Sequence, residues 1–443
     1  MIRRVTNCST ILGSKNSKLI LLASAAFLLA LGSLSAGETG ATEPATWQSW
    51  MEGERALDTL APGRRVLEDH GIFLGGSYTT DLLGNPVGGR SQGFTYFGLL
   101  QVILVAELEK LAGWQGGYFV ASVVDAAGTD LSQAHVGNYF DVDQVSTLPT
   151  LALGQLYFEQ RWDGEKFSLK LGRMPIGQDF VKMDMFNLYV GGIDGHTPVF
   201  GYNTFWTSSP SRSTWAAVFK VGPHPDWTLR YGIYQATSSS RVVANHGLNM
   251  EFGADDGIQM FGETGFKTKM PDVWGGSPEG LAGDHKIGGY WSTWSYDTFD
   301  SGSTPYSYGF YWIGEQMVWR EKSGANEGVT LWYSFVYAPQ TDLSQFPFFC
   351  GAGGGWQGAL PSRPKDWVLF GSYFGSMSRE FAAERESAGL GDPTYEWVLE
   401  WDYRAQVTPW LYVMPSVQYV IRPAGTGDIP NSLVIGAEIG VTF

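Results

Sequence analysis

Apolar and polar residues alternate along much of the chain beyond residue 71, and the alternation is clearest near the C-terminus. Between Glu396 and Val407 one parity carries mostly tryptophan, leucine, tyrosine and valine, whereas the other carries glutamate, aspartate, arginine and glutamine. The same period continues from residue 411 to 422 and from 432 to 443, although Val398 and Val434 place apolar side chains on the polar parity. A period of two predicts β-strands with one apolar and one polar face.

The predicted strands are long, and their length favours one class of fold. Each of the three C-terminal segments spans about twelve residues, whereas strands of soluble proteins average about five or six. A tilted strand that crosses a membrane needs about 9–11 residues. About fifteen such strands are predicted, and bacterial single-chain barrels have an even number. We therefore expect an all-β fold, a single transmembrane antiparallel β-barrel of about sixteen strands, preceded by short helices near Trp47 to Leu60 and Arg64 to His70.

The N-terminus has the order of a secretory signal. Basic residues from Arg3 to Lys18 precede an apolar run from Leu19 to Leu31, and small residues follow up to Ala36. The apolar run is too short for a bilayer-spanning helix, which needs about 20 residues. The sequence therefore predicts a signal peptide at residues 1–36, a leader with a short helical segment at 37–70 and the barrel at 71–443. At the other end, Phe443 closes an amphipathic strand on its apolar parity, which is the signal that we expect the barrel assembly machinery to recognise.

Composition and charge narrow the function classes. The 58 glycines and the 15% of aromatic residues suit a barrel with aromatic belts, and the net charge of -15 excludes nucleic acid as a plausible partner. Cys350 is the single cysteine left after signal removal, so no intrachain disulfide is expected. The histidines have no metal-ligand spacing, and the glycine run at 351–355 lacks the lysine of a phosphate-binding loop. No catalytic residue, metal or cofactor is therefore predicted.

The polar parity of the strands indicates what fills the barrel. Charges of both signs recur there, which is typical of a water-filled channel. The residues expected to line the channel or the solute path are Asp81, Glu159, Arg161, Arg173, Arg230, Tyr234, Glu400, Asp402, Arg404, Gln418, Arg422 and Glu438.

Several segments carry a family resemblance. They are residues 64–85, Leu153 to Phe180, Trp227 to Ala236 and, most specifically, Glu396 to Pro423 with its Thr-Pro-Trp turn. On these segments the chain resembles the carbohydrate-selective (OprB-type) porins of Gram-negative bacteria, over roughly residues 63–443. The resemblance implies a sixteen-stranded barrel in the outer membrane that passes monosaccharides such as glucose by diffusion. The chain departs from the family at its opening, where Leu60 to Arg65 replaces the common Asp-Trp-Gly-Gly-x-Arg segment.

Sugars suit the expected lining. Arginines beside carboxylates offer hydrogen bonds to hydroxyl groups, and aromatic rings offer a surface for the apolar ring face. Two aromatic stretches, Tyr189 to Trp206 and Phe346 to Trp356, are expected to be loops that fold inward and narrow the channel.

Other functions stay open at this point. A general or anion-preferring porin fits the same barrel. A secreted lectin or a glycosidase would need shorter strands with a polar outer face, and a barrel enzyme would need a catalytic triad that the scattered histidines do not suggest. The expected partners are small sugars, outer-membrane lipid and the assembly machinery, as a monomer or a homotrimer.

Overall fold

The computed structural model describes residues 47–57, 63–192, 197–207, 212–273, 278–322 and 326–443. The predicted signal peptide and residues 37–46 and 58–62 of the predicted leader lie outside the described residues. Helix α1 (Trp47–Glu52) is shorter than the helix expected up to residue 60, and α2 (Gly63–Asp69) lies close to its expected position. None of the described helices has the length and the apolar composition of a helix that crosses a membrane.

Sixteen antiparallel strands form one closed barrel, as the strand lengths and the parity predicted. Two further short strands, β10 (Tyr296–Asp297) and β11 (Ser303–Thr304), form a separate hairpin. The barrel strands are β1 (Ile72–Val87), β2 (Phe94–Glu107), β3 (Gly117–Gly128), β4 (Thr150–Trp162), β5 (Phe167–Met174), β6 (Thr214–His224), β7 (Trp227–Ala236), β8 (Gly257–Met270), β9 (Leu281–Ser292), β12 (Ser307–Arg320), β13 (Gly328–Tyr337), β14 (Phe348–Gln357), β15 (Trp367–Ser376), β16 (Tyr395–Thr408), β17 (Leu411–Ile421) and β18 (Ser432–Thr442).

The first and last strands close the barrel. β1 pairs with β18 in a register that places Asp81 opposite Glu438. Beyond the end of β18, the main chains of Gly76 and Phe443 exchange two hydrogen bonds of 2.9 Å. The N-terminal segment covers this seam, since the amide of Ala56 donates to the carbonyl of Thr442 at 3.0 Å. Closure leaves no unpaired sheet edge, which a membrane requires because lipid cannot satisfy backbone groups.

The two faces of the wall follow the predicted parity. Large apolar side chains cover the outside, where Ile435 is 45% exposed and Trp401 is 44% exposed to the surroundings of the isolated chain. The alternate positions point inward, and Glu400 and Gln418 among them are completely buried. Other exposed outward side chains are Trp215, Phe219, Leu229, Tyr231, Leu331, Phe335, Trp397 and Val417. Segments with weak alternation, such as residues 96–107, also form barrel strands.

Long connections lie at one end of the barrel and short ones at the other, where both chain ends lie. Two of the long connections turn into the lumen. The first inner loop comprises residues 129–149 between β3 and β4 and includes a π-helix at Ser132–Val136. The second inner loop comprises residues 175–213 between β5 and β6 and includes 3-10 turns at Ile176–Gln178 and Met185–Leu188 and helix α4 (Phe200–Asn203).

The remaining helices lie between strands. They are α3 (Leu108–Ala112), α5 (Ser239–Val243), α6 (Arg379–Ser387) and the 3-10 turns Ala244–Gly247 and Pro423–Gly425. The expectation of a second inward-folding aromatic loop at Phe346 to Trp356 is wrong, because Phe348–Gln357 is strand β14. Glycines at 351 and 353–355 have no side chain, which leaves room for the rings of Trp332 and Trp367 from neighbouring strands.

The outward position of Ile435 generates the first prediction. We expect Ile435→Arg to block membrane insertion, because an arginine in the lipid-facing wall costs about 2–4 kcal/mol near the bilayer centre. Heat-modifiable mobility of the protein in isolated outer membranes measures the folded fraction. Ile435→Leu is the matched control and should fold normally, and a normally folded arginine variant would contradict the facing of β18.

Candidate functional site

Glutamates on the inner wall hold the first inner loop. Glu396, on β16, is completely buried. Its carboxylate accepts from the amides of Tyr139 (2.8 Å), Phe140 (2.7 Å) and Ala424 (2.9 Å). All three partners are donors, so the site demands a group that only accepts. This one side chain therefore ties the first inner loop and the turn after β17 to the wall.

Glu400 does the same for the second inner loop. It lies two inward positions beyond Glu396 along β16. Its carboxylate accepts from the amides of Val190 (3.0 Å) and Gly191 (2.6 Å) and from the hydroxyl of Tyr373 (2.7 Å). Buried main-chain N–H groups must find acceptors, and a loop inside a barrel has no neighbouring strand to provide them. The wall carboxylates take that role.

The opposite wall repeats this arrangement. Glu263 on β8 accepts from the amide of Val181 (3.2 Å), which has a positive φ of 59°, and from the hydroxyl of Tyr311 (2.9 Å). Glu315 on β12 accepts from the amide of Met185 at 2.9 Å. The second inner loop is thus anchored on both sides of the lumen, which fixes its position across the channel.

Apolar packing supports the same loop. Phe186 is completely buried and packs edge-on against Trp332 of the wall at 5.4 Å between ring centroids. Phe180 packs on Phe261 at 5.4 Å. Part of the lumen is therefore a dry core rather than open water, and the inward Val398 belongs to it with 2% exposure. The apolar residues on the polar parity were the sequence signal for this core.

Above the second inner loop, at the end with long connections, lies a cavity of about 800 Å³. Aromatic rings form part of its lining, with Tyr202 packed edge-on against Tyr139 at 5.4 Å and Trp294 against Phe205 at 5.6 Å. Charged and polar groups complete it. The lining includes Tyr139, Tyr202, Trp206, Trp294, Arg90, Asp141 and Arg212. We call this cavity the vestibule; its mixture of rings and hydrogen-bonding groups suits a polyhydroxylated solute.

Carboxyl groups gather where the first inner loop meets the wall. Burial raises the pKa of Asp143 to about 7, with Asp81 and Glu438 among its neighbours. Burial, then the nearby Asp130, Asp143 and Glu396, place the pKa of Asp141 well above its usual range. Gln144 of the first inner loop donates to Glu438 of the wall at 3.2 Å and also to the carbonyl of Tyr189 in the second inner loop.

Four of the five acidic residues predicted to line the channel come together on β16, β18 and β1, but the inner loops cover them; the fifth, Glu159, is on β4. Exposure is 0% for Asp81 and Glu400, 1% for Glu438 and 4% for Asp402. Gln418, also completely buried, donates to the carbonyl of Val142 in the first inner loop at 2.8 Å. Glu400, Glu438 and Gln418 therefore position the loops by hydrogen bonds, which the sequence pattern did not reveal.

Two of the basic residues predicted for the path, Arg161 and Arg230, lie on the opposite wall, on β4 and β7. Arg161 pairs with Glu159 at 3.1 Å and Arg230 with Glu263 at 3.0 Å, at the end of the lumen with short turns. Tyr234 is 1% exposed and packs against Phe180 of the second inner loop. The guanidinium of Arg404 stacks on the ring of Tyr412, 3.4 Å from its centroid.

Two predicted lining residues lie elsewhere. Arg173 pairs with the outward Trp215, so its side chain is on the outer face. There it donates to the carbonyls of Asn249 (2.5 Å) and Ser213 (2.6 Å), because loops cover the wall beyond the end of the short β5.

Arg422 lies beyond the last residue of β17 with a φ of 53°. Its guanidinium donates to the carbonyls of Gly425 (3.1 Å) and Thr426 (3.3 Å) and sits over the ring of Tyr395. The structure therefore corrects both expectations. Arg173 lies on the same outward parity of β5 as Phe167 and Leu171, and Arg422 lies in a chain reversal beyond the end of β17.

Sequence reasoning missed Glu396, Glu263 and Asp143. Glu396 begins the C-terminal alternating segment on its polar parity, so the pattern already contained it. Asp143 lies in a loop, where no periodicity marks an inward direction. The missed glutamates have a role because they accept from main-chain amides that are far away in the sequence, and a single sequence does not show those contacts.

Comparisons with known proteins agree on one family. The model of the family described as "Carbohydrate-selective porin, OprB family" matches residues 91–443. The chain is 26% identical to Porin B of Pseudomonas aeruginosa over 94% of this chain and 96% of that protein. It is 23% identical to the putative porin QuiX of Acinetobacter baylyi over 93% of this chain and 99% of that protein. The solved high-pH structure of Pseudomonas putida OprB matches the fold with a TM-score of 0.79 and 21% identity, over 89% of this chain and 99% of that one.

The contacts of Glu396 generate the second prediction. Glu396→Gln places an amide NH₂ against backbone donors, and each buried group that loses its partner costs about 1–3 kcal/mol. We expect the first inner loop to loosen and the channel to admit larger solutes. Liposome swelling with a trisaccharide, relative to glucose, measures the change.

The matched control is Glu386→Gln on the exposed side of α6, which should leave the size limit unchanged. A Glu396→Gln barrel that folds normally and retains the wild-type size limit would show that this carboxylate does not hold the loop.

The raised pKa of Asp143 generates the third prediction. A carboxyl group whose pKa is raised in the docked loop favours docking when protonated, so docking weakens as pH rises from about 4 to about 7. Asp130 and Glu438 face the same group and also raise its pKa, whereas a side-chain hydrogen bond from Asp81 lowers the pKa of Asp143 without cancelling the rise. Single-channel recordings should therefore show more frequent transitions to higher conductance across this range, and Asp143→Asn should reduce the pH dependence. The control, Asp226→Asn in an exposed turn, should behave like the wild type, and identical pH curves for the wild type and Asp143→Asn would refute the assignment.

Proposed function

The chain belongs to the OprB family of carbohydrate-selective porins, and from this premise we propose that it lets monosaccharides such as glucose diffuse passively through the barrel. It is an outer-membrane β-barrel porin rather than an enzyme. The identity of the solute and its path through the barrel are part of the proposal.

The vestibule is the observation that carries the proposal. Its volume of about 800 Å³ exceeds that of a hexose, and its rings and polar groups match the two kinds of surface that a sugar offers. A porin must bind its solute weakly enough to release it, and partly exposed rings in a solvated cavity give such weak binding. Solutes enter from the end with long connections, which faces outward in outer-membrane barrels.

Below the vestibule, the proposed path follows the inner wall past the second inner loop. Arg404 on one side and Arg161 and Arg230 on the other are the predicted path residues that keep partial exposure in the lumen. The buried predicted residues set the width of the path by holding the loops. In this proposal the partly exposed residues select solutes by direct contact, and the buried residues select them by setting the width of the path.

Export and assembly complete the proposal. Residues 1–36 direct the chain across the inner membrane of a Gram-negative bacterium and are then removed. Phe443 is then recognised by the barrel assembly machinery. This part rests on the order of charge and hydropathy at the N-terminus and on the outward parity of the last strand.

Liposome swelling by the purified mature protein tests the proposed function. We expect faster entry of glucose than of a zwitterionic amino acid of similar size. Equal rates would indicate a general porin, and no swelling with any solute would refute a diffusion channel.

The rings of the vestibule generate the fourth prediction. Trp294→Ala removes an aromatic surface, and contacts of aromatic rings contribute about 0.5–1.5 kcal/mol, so the preference for glucose over the amino acid should fall about two- to tenfold. Trp312→Ala, which removes a tryptophan from the outer face, is the matched control and should retain the wild-type ratio. An unchanged ratio in a folded Trp294→Ala barrel would exclude this ring from solute contact.

A further inference from the structure

Four neighbouring strands place one row of inward side chains at the same height. Arg161 on β4 pairs with Ser168 on β5, which pairs with Lys220 on β6, and Lys220 pairs with Arg230 on β7. Residues paired across strands share one face, and the exposed outward Phe219 and Tyr231 place Lys220 and Arg230 in the lumen. The row therefore presents three cations within one band of the inner wall, near the end with short turns.

The wall carboxylates Glu159 and Glu263, which accompany two of these cations, are less exposed than the cations themselves. The side chain of Arg161 is 32% exposed and that of its partner Glu159 is 8% exposed; the corresponding values for Arg230 and Glu263 are 23% and 3%. Glu263 also accepts from Val181 and Tyr311, so its charge is shared among several donors. Arg161 has a second, exposed partner in Glu165 at the rim. In both pairs the cation is the member that meets a passing solute.

Lys220 differs from its neighbours because no carboxylate of the described residues lies within ion-pair distance of its ammonium group. It stands directly opposite Arg230, and like charges in directly opposed positions destabilise a sheet. Glu159 and Glu165 also act on Lys220, but neither lies within ion-pair distance of its ammonium group. An anion in the lumen at this height relieves the repulsion, since such an anion lies against two or three cations at once.

We propose that the row of Arg161, Lys220 and Arg230 binds the carboxylate of a sugar acid, so that the channel prefers anionic over neutral monosaccharides. The inference rests on the proposed passive channel and deepens it by naming the solute class. It does not conflict with the negative net charge of the chain, because the lumen carboxylates of β16, β18 and β1 are at most 4% exposed beneath the inner loops. The vestibule agrees in sign, since among the described residues its charged lining consists of Arg90, Arg212 and the carboxyl group of Asp141.

Gluconate and glucose are the probes, since they have the same carbon skeleton and differ in charge. Proteoliposomes containing the full mature barrel are loaded with each solute, and efflux is measured with valinomycin and K⁺ present so that membrane potential does not limit the anion. We expect a gluconate-to-glucose ratio above one for the wild type. Loss of one charge at close range in water should lower that ratio about threefold in Lys220→Gln, and charge reversal in Lys220→Glu should lower it about tenfold.

Lys110→Gln, which removes an exposed lysine from α3, is the matched control and should retain the wild-type ratio. The zero-current potential in a KCl gradient gives a readout independent of sugar: the wild type should favour chloride, and Lys220→Glu should shift the potential towards potassium selectivity. A wild-type ratio of one or less, or a ratio that Lys220→Glu leaves unchanged in a folded barrel, would overturn the inference. Because glucose efflux is recorded in the same vesicles, its absence would instead count against the proposed diffusion channel.

Discussion

Main-chain N–H groups inside a barrel need acceptors, and this requirement shapes the whole lumen. In the wall, each strand satisfies its neighbours. The two inner loops have no such neighbours, because they cross a space that strands do not reach. Glu396, Glu400, Glu263 and Glu315 meet the need by directing carboxylates from the wall to the amides of Tyr139, Phe140, Val190, Gly191, Val181 and Met185. An ionised carboxylate has about four acceptor positions, so one side chain can hold two or three amides at once. The aperture of the channel depends on these contacts.

This use of glutamate also determines which charges a solute meets. A wall carboxylate that accepts from buried amides lies beneath the loop that it holds, as Glu400 does with 0% exposure. Cations have no comparable role towards N–H groups, so they stay on the surface of the lumen. Arg161 and Arg230 remain partly exposed while their carboxylate partners are buried. At these two ion pairs the cation is therefore more exposed than its carboxylate partner, and a count of charged residues cannot predict which charges a solute meets.

The sequence predicts the barrel far better than it predicts the path. A period of two reports the wall directly, because every inward position alternates with a lipid-facing one, and Ile435 and Glu400 lie on the faces that their parity requires. The path depends on loops, and no period marks where a loop turns. Phe346 to Trp356 was expected to be a loop because its composition is aromatic and glycine-rich, but the pairing of β14 with both neighbours makes it wall. Arg173 has the residue type of a channel lining, yet its pairing with Trp215 puts it outside. Only the sheet register, which a single sequence does not contain, separates these cases.

Sixteen strands enclose a lumen much wider than a monosaccharide, so the wall alone cannot select among small sugars. Selection requires loops at fixed positions, and loops are fixed here by two kinds of contact. The apolar core around Phe186 and Trp332 gives the second inner loop its attachment but little directional constraint, since such packing is non-directional. The glutamate contacts are directional and define where each amide lies. Substitution of a wall glutamate therefore changes the aperture but leaves the strands, their register and the lipid-facing surface unchanged. Related barrels can in this way differ in their solute while keeping the same fold.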